Sequence, residues 1–559
     1  MPDFGRGAAR QLRYKQRHDD QRDRTSDVCG GRSVPLRVRS GGRGANAGLD
    51  GVPPPSVTGP VAVTATSFPF LAAHRLQEPI DLATIGYVEE EFFVSGRANV
   101  YDWSPAGELT IRTAGAPYTT RILVRRPSDP ARFSGSVIVE PIHAPNGNDF
   151  PLMFAWSADY VFEHGDAYVG ITVDPTSIKA LQKFNGARYA PLAFANPNPS
   201  EACAAGRGGN NAPATSDSEE GLKWDVMSQV GALLKSRGRP NPMAGFTVQY
   251  LYMTSQDAAQ TTYINAIGRH ARLADGKAIY DGHVIKSGGR PARIRRCAAA
   301  PANGDPRVAV MNAGVPVINV LQQGDVLGSL ALRRADSDTP GDRYRWYEVA
   351  GTAHSSPPPY RTAVPVAADL VPLGPSAVVP RMMAAAIAPY TLAQPLKDPE
   401  RCAASEMVTE QPVLMYVFHG AYANLDRWVR SGAAPPTAPR IETKEAGGKT
   451  VIATDSIGNA LGGIRSPYVD APTAVYHPGH GEGPGCGNNF GYAEPLPWSR
   501  LDAMYGSYKN YTAKAAESID RMVKAQWVTA SDAKRMRDEL LENPKTQNPN
   551  PKPQAPRSN

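Results

Sequence analysis

The chain has 559 residues, 41% of them hydrophobic and 20% charged, which excludes a fibrous or wholly disordered protein and leaves ample length for a large core. The net charge of +7 would suggest nucleic acid, yet residues 1–50 hold eleven Lys/Arg against six Asp/Glu and so carry five of the seven charges. The remaining body is near neutral, with no basic stripe interleaved with aromatics, so no nucleic-acid partner is expected.

Residues 1–55 have no apolar periodicity and carry Gly30-Gly31, Gly41-Gly42 and Val52-Pro-Pro-Pro-Ser56 at their end. A disordered basic tail is expected there, without the apolar stretch of a secretory signal. No later run is long enough to span a membrane, so the protein reads as soluble; oligomeric state and compartment are not legible. The five cysteines (Cys29, Cys203, Cys297, Cys402, Cys486) are odd in number and too scattered for a disulfide framework or a zinc motif. A pairing such as Cys203 with Cys297 is open to the chain, but spacing does not select it.

Structure is expected over 56–540. Tyr118–Arg126 alternates as a half-buried strand, and Gly135–Ile142 is a continuous apolar run of the kind buried on both faces. A helical stretch (Leu152 to Glu163) leads to the strand Ala167–Val173. An amphipathic helix, Trp224 to Lys235, leads to the strand Phe246–Met253. Such alternation predicts an α/β fold with a mostly parallel sheet and helices on both faces. Residues 269–305, rich in Arg, Gly and Pro, read as an inserted cap near the strand C-termini. Further strands are expected in the run Val315–Asp325, which breaks at Gly324 into an acid, and ahead of His354. A C-terminal extension over 360–540 should hold a helix from Val413 to Val429 and two more near 507–527 and 530–542. The last opens with Thr529-Ala-Ser-Asp532, a capping-box pattern. Residues 543–559 read as a second disordered tail.

Three residues just past strand ends carry the chemistry: Ser255, Asp325 and His354. Serine, acid, histidine is the chain order of the triad in α/β-hydrolases. His354 would serve as base to the Ser255 hydroxyl, a poor nucleophile by itself, and Asp325 would orient the imidazole. Asp336, Asp338 and Asp342 fall in a longer polar loop, and Glu348 inside a strand reads as a pairing residue. The usual elbow has glycine two residues either side of the serine; here Met253 and Asp257 stand there. Thr254 with Asp257 also fits a plain capping box at a helix start. For the oxyanion, the expected backbone donors are the N–H of Gln256 and one from the loop after Glu140; Pro141 and Pro145 have none, which leaves Ile142, His143 and Ala144, or the Asn146-Gly147 turn, with His143 and Ala144 preferred. His477-Pro-Gly-His480-Gly-Glu482, with Cys486 beyond, has metal-ligand residue types, but the spacing fits no standard site. No P-loop or dinucleotide fingerprint occurs, and neither cofactor nor metal is expected.

Several segments resemble a little-characterised family of large bacterial α/β-hydrolase-domain proteins. They are Trp346-Tyr-Glu-Val-Ala-Gly-Thr-Ala-His354, Gly324-Asp-Val-Leu-Gly328, Ser255-Gln256 with Thr262-Tyr-Ile-Asn265, Asp426-Arg-Trp-Val429 and Gly462–Asp470. The similarity covers roughly 57–540. It implies a serine hydrolase acting on a small-molecule carboxylic ester, with Ser255 as nucleophile and His354 as base. In that family a glutamate often stands where this chain has Gln323, leaving Asp325 as the acid. Two other readings remain open: a non-catalytic hydrolase-like binding protein with a decayed elbow, and a hydrolase of a lactone or amide.

Overall fold

The computed structural model describes residues 51–144, 147–203, 216–238, 240–256, 258–287, 292–302, 305–354, 362–374, 413–478 and 491–541. Most of both expected tails, and residues 375–412, lie outside that set.

Ten strands form one sheet: β1 (Ser56–Thr58), β2 (Tyr87–Trp103), β3 (Leu109–Pro127), β4 (Ser136–Ile142), β5 (Ala167–Thr172), β6 (Ala193–Phe194), β7 (Tyr250–Ser255), β8 (Gly282–Lys286), β9 (Val317–Gln322) and β10 (Tyr344–Val349). Their order is β1-β2-β3-β5-β4-β7-β8-β9-β10, with β6 on β3. From β5 to β10 every neighbouring pair is parallel. β1, β2, β3 and β6 pair antiparallel at one edge. Every residue of β4, β5, β8, β9 and β10 is buried, as two-sided helical cover requires of parallel strands.

The long β2–β3 hairpin is only partly visible in the sequence. β2 opens with Glu89-Glu90-Glu91, a run that masks strand alternation. The structure neutralises all three: Glu89 pairs with Arg125 at 2.8 Å, Glu90 with Arg126 at 2.6 Å and Glu91 with Arg121 at 3.0 Å. Glu91 also receives Arg188 at 2.7 Å and the Tyr189 hydroxyl at 2.9 Å, while Arg121 reaches Asp149 at 2.9 Å.

The helices that build the core or the site are α1 (Leu152–Ala155), α2 (Ala158–His164), α3 (Lys223–Lys235), α4 (Ala258–Tyr263), α5 (Gln323–Val326), α6 (Val413–Ser431), α7 (Tyr508–Lys524) and α8 (Ala530–Leu541). The single helix expected over 152–163 is two short ones, broken at Trp156-Ser157. At the start of α8 the capping residues pair as their spacing predicts, the Asp532 N–H donating to Thr529 Oγ1 at 3.1 Å.

One expectation about organisation is corrected. Residues 269–305 are not an uninterrupted insertion, because β8 within them is a central strand between β7 and β9. Its run, His283-Val-Ile, is too short to stand out among the surrounding Arg, Gly and Pro. The C-terminal extension contributes to the core of the sheet. Val413, Phe418, Leu425 and Trp428 of α6, with Ile519, Met522 and Met536, belong to the same hydrophobic core as the sheet. At β8, a Cβ on Gly282 would lie 2.8 Å from Leu425 of α6, so glycine permits that close approach. A small satellite cluster around Leu501, Tyr505 and Tyr511 forms apart from this core. Cys203 is disulfide-bonded to Cys297, the pairing that spacing left open.

Arg121 and Glu91 are both fully buried. Replacing Arg121 by Met leaves Asp149 without its cation and Glu91 with Arg188 alone, and loss of one partner of a buried pair costs about 3–5 kcal/mol. Arg121→Met is therefore expected to lower the urea midpoint by that equivalent; an unchanged midpoint would show that the network does not support the sheet.

Candidate active site

In open α/β sheets, ligands bind beyond the strand C-termini where the strand order reverses. Here β4 leads to β5 on one side and β7 leads to β8 on the other, so the switch point falls between β4 and β7. His143 and Ala144 follow β4 at this crevice, and Ser255 closes β7 with Gln256 just beyond it.

Ser255 is the last residue of β7 and is buried. It is not among the non-glycine residues with left-handed backbone, so the chain turns after the serine rather than on it. Asp257, and with it the capping box read with Thr254, lies outside the described residues. Thr254 Oγ1 instead meets the Tyr422 hydroxyl of α6 at 2.8 Å. The strand end is tied down further by Gln260 of α4, whose Nε2 donates to the Met253 carbonyl at 2.8 Å.

Asp325 falls in α5, three residues past β9, and His354 lies five residues past β10. His354 Nδ1 is 2.8 Å from Asp325 Oδ2 and 3.0 Å from Oδ1. Gln256 Nε2 stands 3.3 Å from His354 Nε2. The Asp325 carboxylate, an acceptor only, places the ring proton on Nδ1 and leaves Nε2 as the acceptor facing Gln256. The ring thus spans from the acid to the residue that follows Ser255. Burial opposes ionisation of Asp325, but the hydrogen bond and charge of His354, with Lys286 and Ser287, outweigh it and hold the carboxyl below its ordinary value. Asp336 pairs with Arg440, Asp338 with Arg345 and Asp342 with Arg334. Glu348, read as a pairing residue, takes Arg333 at 2.7 Å.

Among the described residues, the N–H groups of Gln256 and Ala144 donate to no partner. Phe150 N–H donates to the His143 carbonyl at 2.9 Å, holding the loop after β4 as a bridge. His477 ends a strand and faces Glu494 at 3.3 Å, while His480, Glu482 and Cys486 lie outside the described residues. Among the described residues no group of three or more His, Cys, Asp or Glu could hold a metal ion, and no helix is long and apolar enough to cross a membrane.

Four residues at this end of the sheet escaped the sequence reading. Lys286 and Ser287 close β8, inside the segment read as a cap. Gln322 ends β9 and donates to Ser287 Oγ at 2.7 Å. Glu140 lies in the apolar run of β4, where it accepts from Met153 N, Phe154 N and the Tyr168 hydroxyl at 2.8–2.9 Å. Only the Asp281-Gly282 turn and Ser287-Gly-Gly, bracketing the apolar pair Val284-Ile285, signalled β8.

The model of the alpha/beta hydrolase domain family matches residues 57–538, and the chain belongs to that family. The class so defined is a hydrolase domain. No curated protein matches the chain. Similar solved structures include esterase Est22, at 11% identity and a TM-score of 0.26, covering 52% of this chain and 78% of that one. A glucuronoyl esterase from Solibacter usitatus is similar at 9% identity and a TM-score of 0.24, covering 47% and 77%. Poly(aspartic acid) hydrolase-1 from Sphingomonas sp. KT-1 is similar at 10% identity and a TM-score of 0.22, covering 40% and 73%. Likeness at this level says nothing about substrate.

Burial pushes the Glu140 carboxyl up from 4.5 to about 7, against the hydrogen bonds it accepts. The folded state thus holds this proton more tightly than the unfolded chain. The associated stability is full below pH 4.5 and is lost as pH rises through about 7. Glu140→Gln cannot ionise, so its Tm relative to the parent should improve between about pH 5 and about pH 8. A constant Tm difference across that range would refute the assignment.

Proposed function

We propose that the protein is a serine hydrolase of carboxylic esters, acting through an acyl-enzyme on Ser255. His354 is the general base and Asp325 orients it. The observation that carries this reading is the Asp325–His354 pair at 2.8 Å, with the far ring nitrogen turned to the β7 turn that begins at Ser255.

The Ser255 hydroxyl attacks the ester carbonyl while His354 Nε2 takes its proton. The alkoxide leaves as His354 returns that proton, and water then repeats the sequence on the acyl-enzyme. In this scheme Gln256 swings its amide off Nε2 to admit the serine proton. Asp325 stabilises the imidazolium that forms. The N–H groups of Gln256 and Ala144 receive the oxyanion, with His143 holding the loop that presents the second; loss of one such donor costs about 3–4 kcal/mol of barrier.

Labelling with a fluorophosphonate and turnover of short p-nitrophenyl esters test the reading together. Ser255→Ala should abolish both signals, and His354→Ala should lower kcat by about 10²–10⁴-fold with the fold intact. Asp325→Asn should cost a comparable factor by favouring the wrong tautomer. A protein that takes up no label and turns over no ester would instead be a hydrolase-like binding protein. Label on another serine would move the nucleophile. Turnover confined to lactones or amides would keep the triad and change the bond.

A further inference from the structure

Lys286 ends β8 with its side chain fully buried. Its Nζ donates to the His354 carbonyl at 2.9 Å, lies 3.4 Å from Ser287 Oγ and sits 4.9 Å from the centre of the Trp156 ring. Burying an ammonium is expensive, whereas a neutral side chain could donate to a loop carbonyl at lower cost. The charge therefore calls for a role of its own. Ser287 has a left-handed backbone, φ 69°, uncommon outside glycine, and donates to Asp325 Oδ2 at 3.0 Å. Two successive residues at one strand end thus contact both members of the acid–histidine pair.

We propose that Lys286 is a positioning residue: it holds the main chain of His354 in place, and its buried positive charge keeps the imidazole neutral, so that the base is available at and below neutral pH. The inference rests on the reading of His354 as base. Three charged or titratable groups act on the ring: Lys286 from β8, Asp325 from α5 and His143 from the loop after β4; Gln256 adds an uncharged amide. The Lys286 charge is the largest influence and opposes protonation, burial adds to it, Asp325 favours protonation, and the balance leaves His354 below its ordinary value. Burial also pulls Lys286 down, against the Asp325 charge, but only to about 8. It therefore keeps its proton over the range in which His354 titrates.

The test is the pH profile of kcat/KM for a p-nitrophenyl ester with the parent, Lys286→Gln and Lys286→Met. Both variants should move the acid limb to higher pH. Lys286→Met, which also loses the bond to the His354 carbonyl, should lower plateau kcat more than it raises KM, by less than the ~10²–10⁴-fold that loss of a general base costs. An acid limb unmoved in a folded Lys286→Gln protein overturns the proposal, whatever happens to the plateau, because a merely structural lysine would lower stability or kcat without moving that limb. Should neither variant fold, NMR titration of the ¹³C-labelled His354 ring in the unsubstituted protein decides: a midpoint below the ordinary value of about 6.5 is expected, and one at or above it overturns the proposal. This titration needs no turnover. An inactive parent would sink the hydrolase reading, while a ring midpoint at or above about 6.5 would separately overturn the proposal for Lys286.

Discussion

The parallel ladder from β4 to β10 is the constraint on which the rest depends. Hydrogen-bonded parallel strands end on the same side of a sheet, so residues far apart in the chain arrive at one edge without any contact to draw them there. Met253 pairs with Val139 on one side and His283 on the other, Lys286 with Val320, and Gln322 with Val349. That register sets the ends of β4, β7, β8, β9 and β10 side by side. His143, Ser255, Lys286, Asp325 and His354 inherit their proximity from it.

Around this edge the electrostatics are arranged by burial. Asp325 would resist ionising were it alone, and His354 with Lys286 reverses that. Lys286 in turn keeps its charge despite burial, in the field of Asp325. Carboxylate, imidazole and ammonium form one coupled group in which no member has its solution behaviour. The ion network of Glu91, Arg121, Asp149 and Arg188 is a structural counterpart at the antiparallel edge. It joins β2 and β3 to Asp149 in the segment after β4.

Strands buried on both faces were readable because their apolar runs are continuous: β4, β5 and β9 stand where the pattern put them. β2 and β8 were not, for different reasons. The three glutamates of β2 look solvent-facing until the arginines of β3 and Arg188 are brought to them. β8 is five residues long, and its lysine and histidine look polar until α6 packs across it. Lys286 was hidden with its strand, and Glu140 was hidden by lying inside an apolar run.

By itself, the sequence determined the α/β class and the positions of Ser255, Asp325 and His354 at or near the ends of strands. These are local matters: periodicity, turn residues and position after a strand are written in short windows of chain. Only the tertiary structure decided that 269–305 contains a central strand, that α6 belongs to the core, that Cys203 bonds Cys297, and that a buried lysine faces the histidine. Each of these joins segments distant along the chain, and their pairing is set by sheet register and packing, which no short window contains.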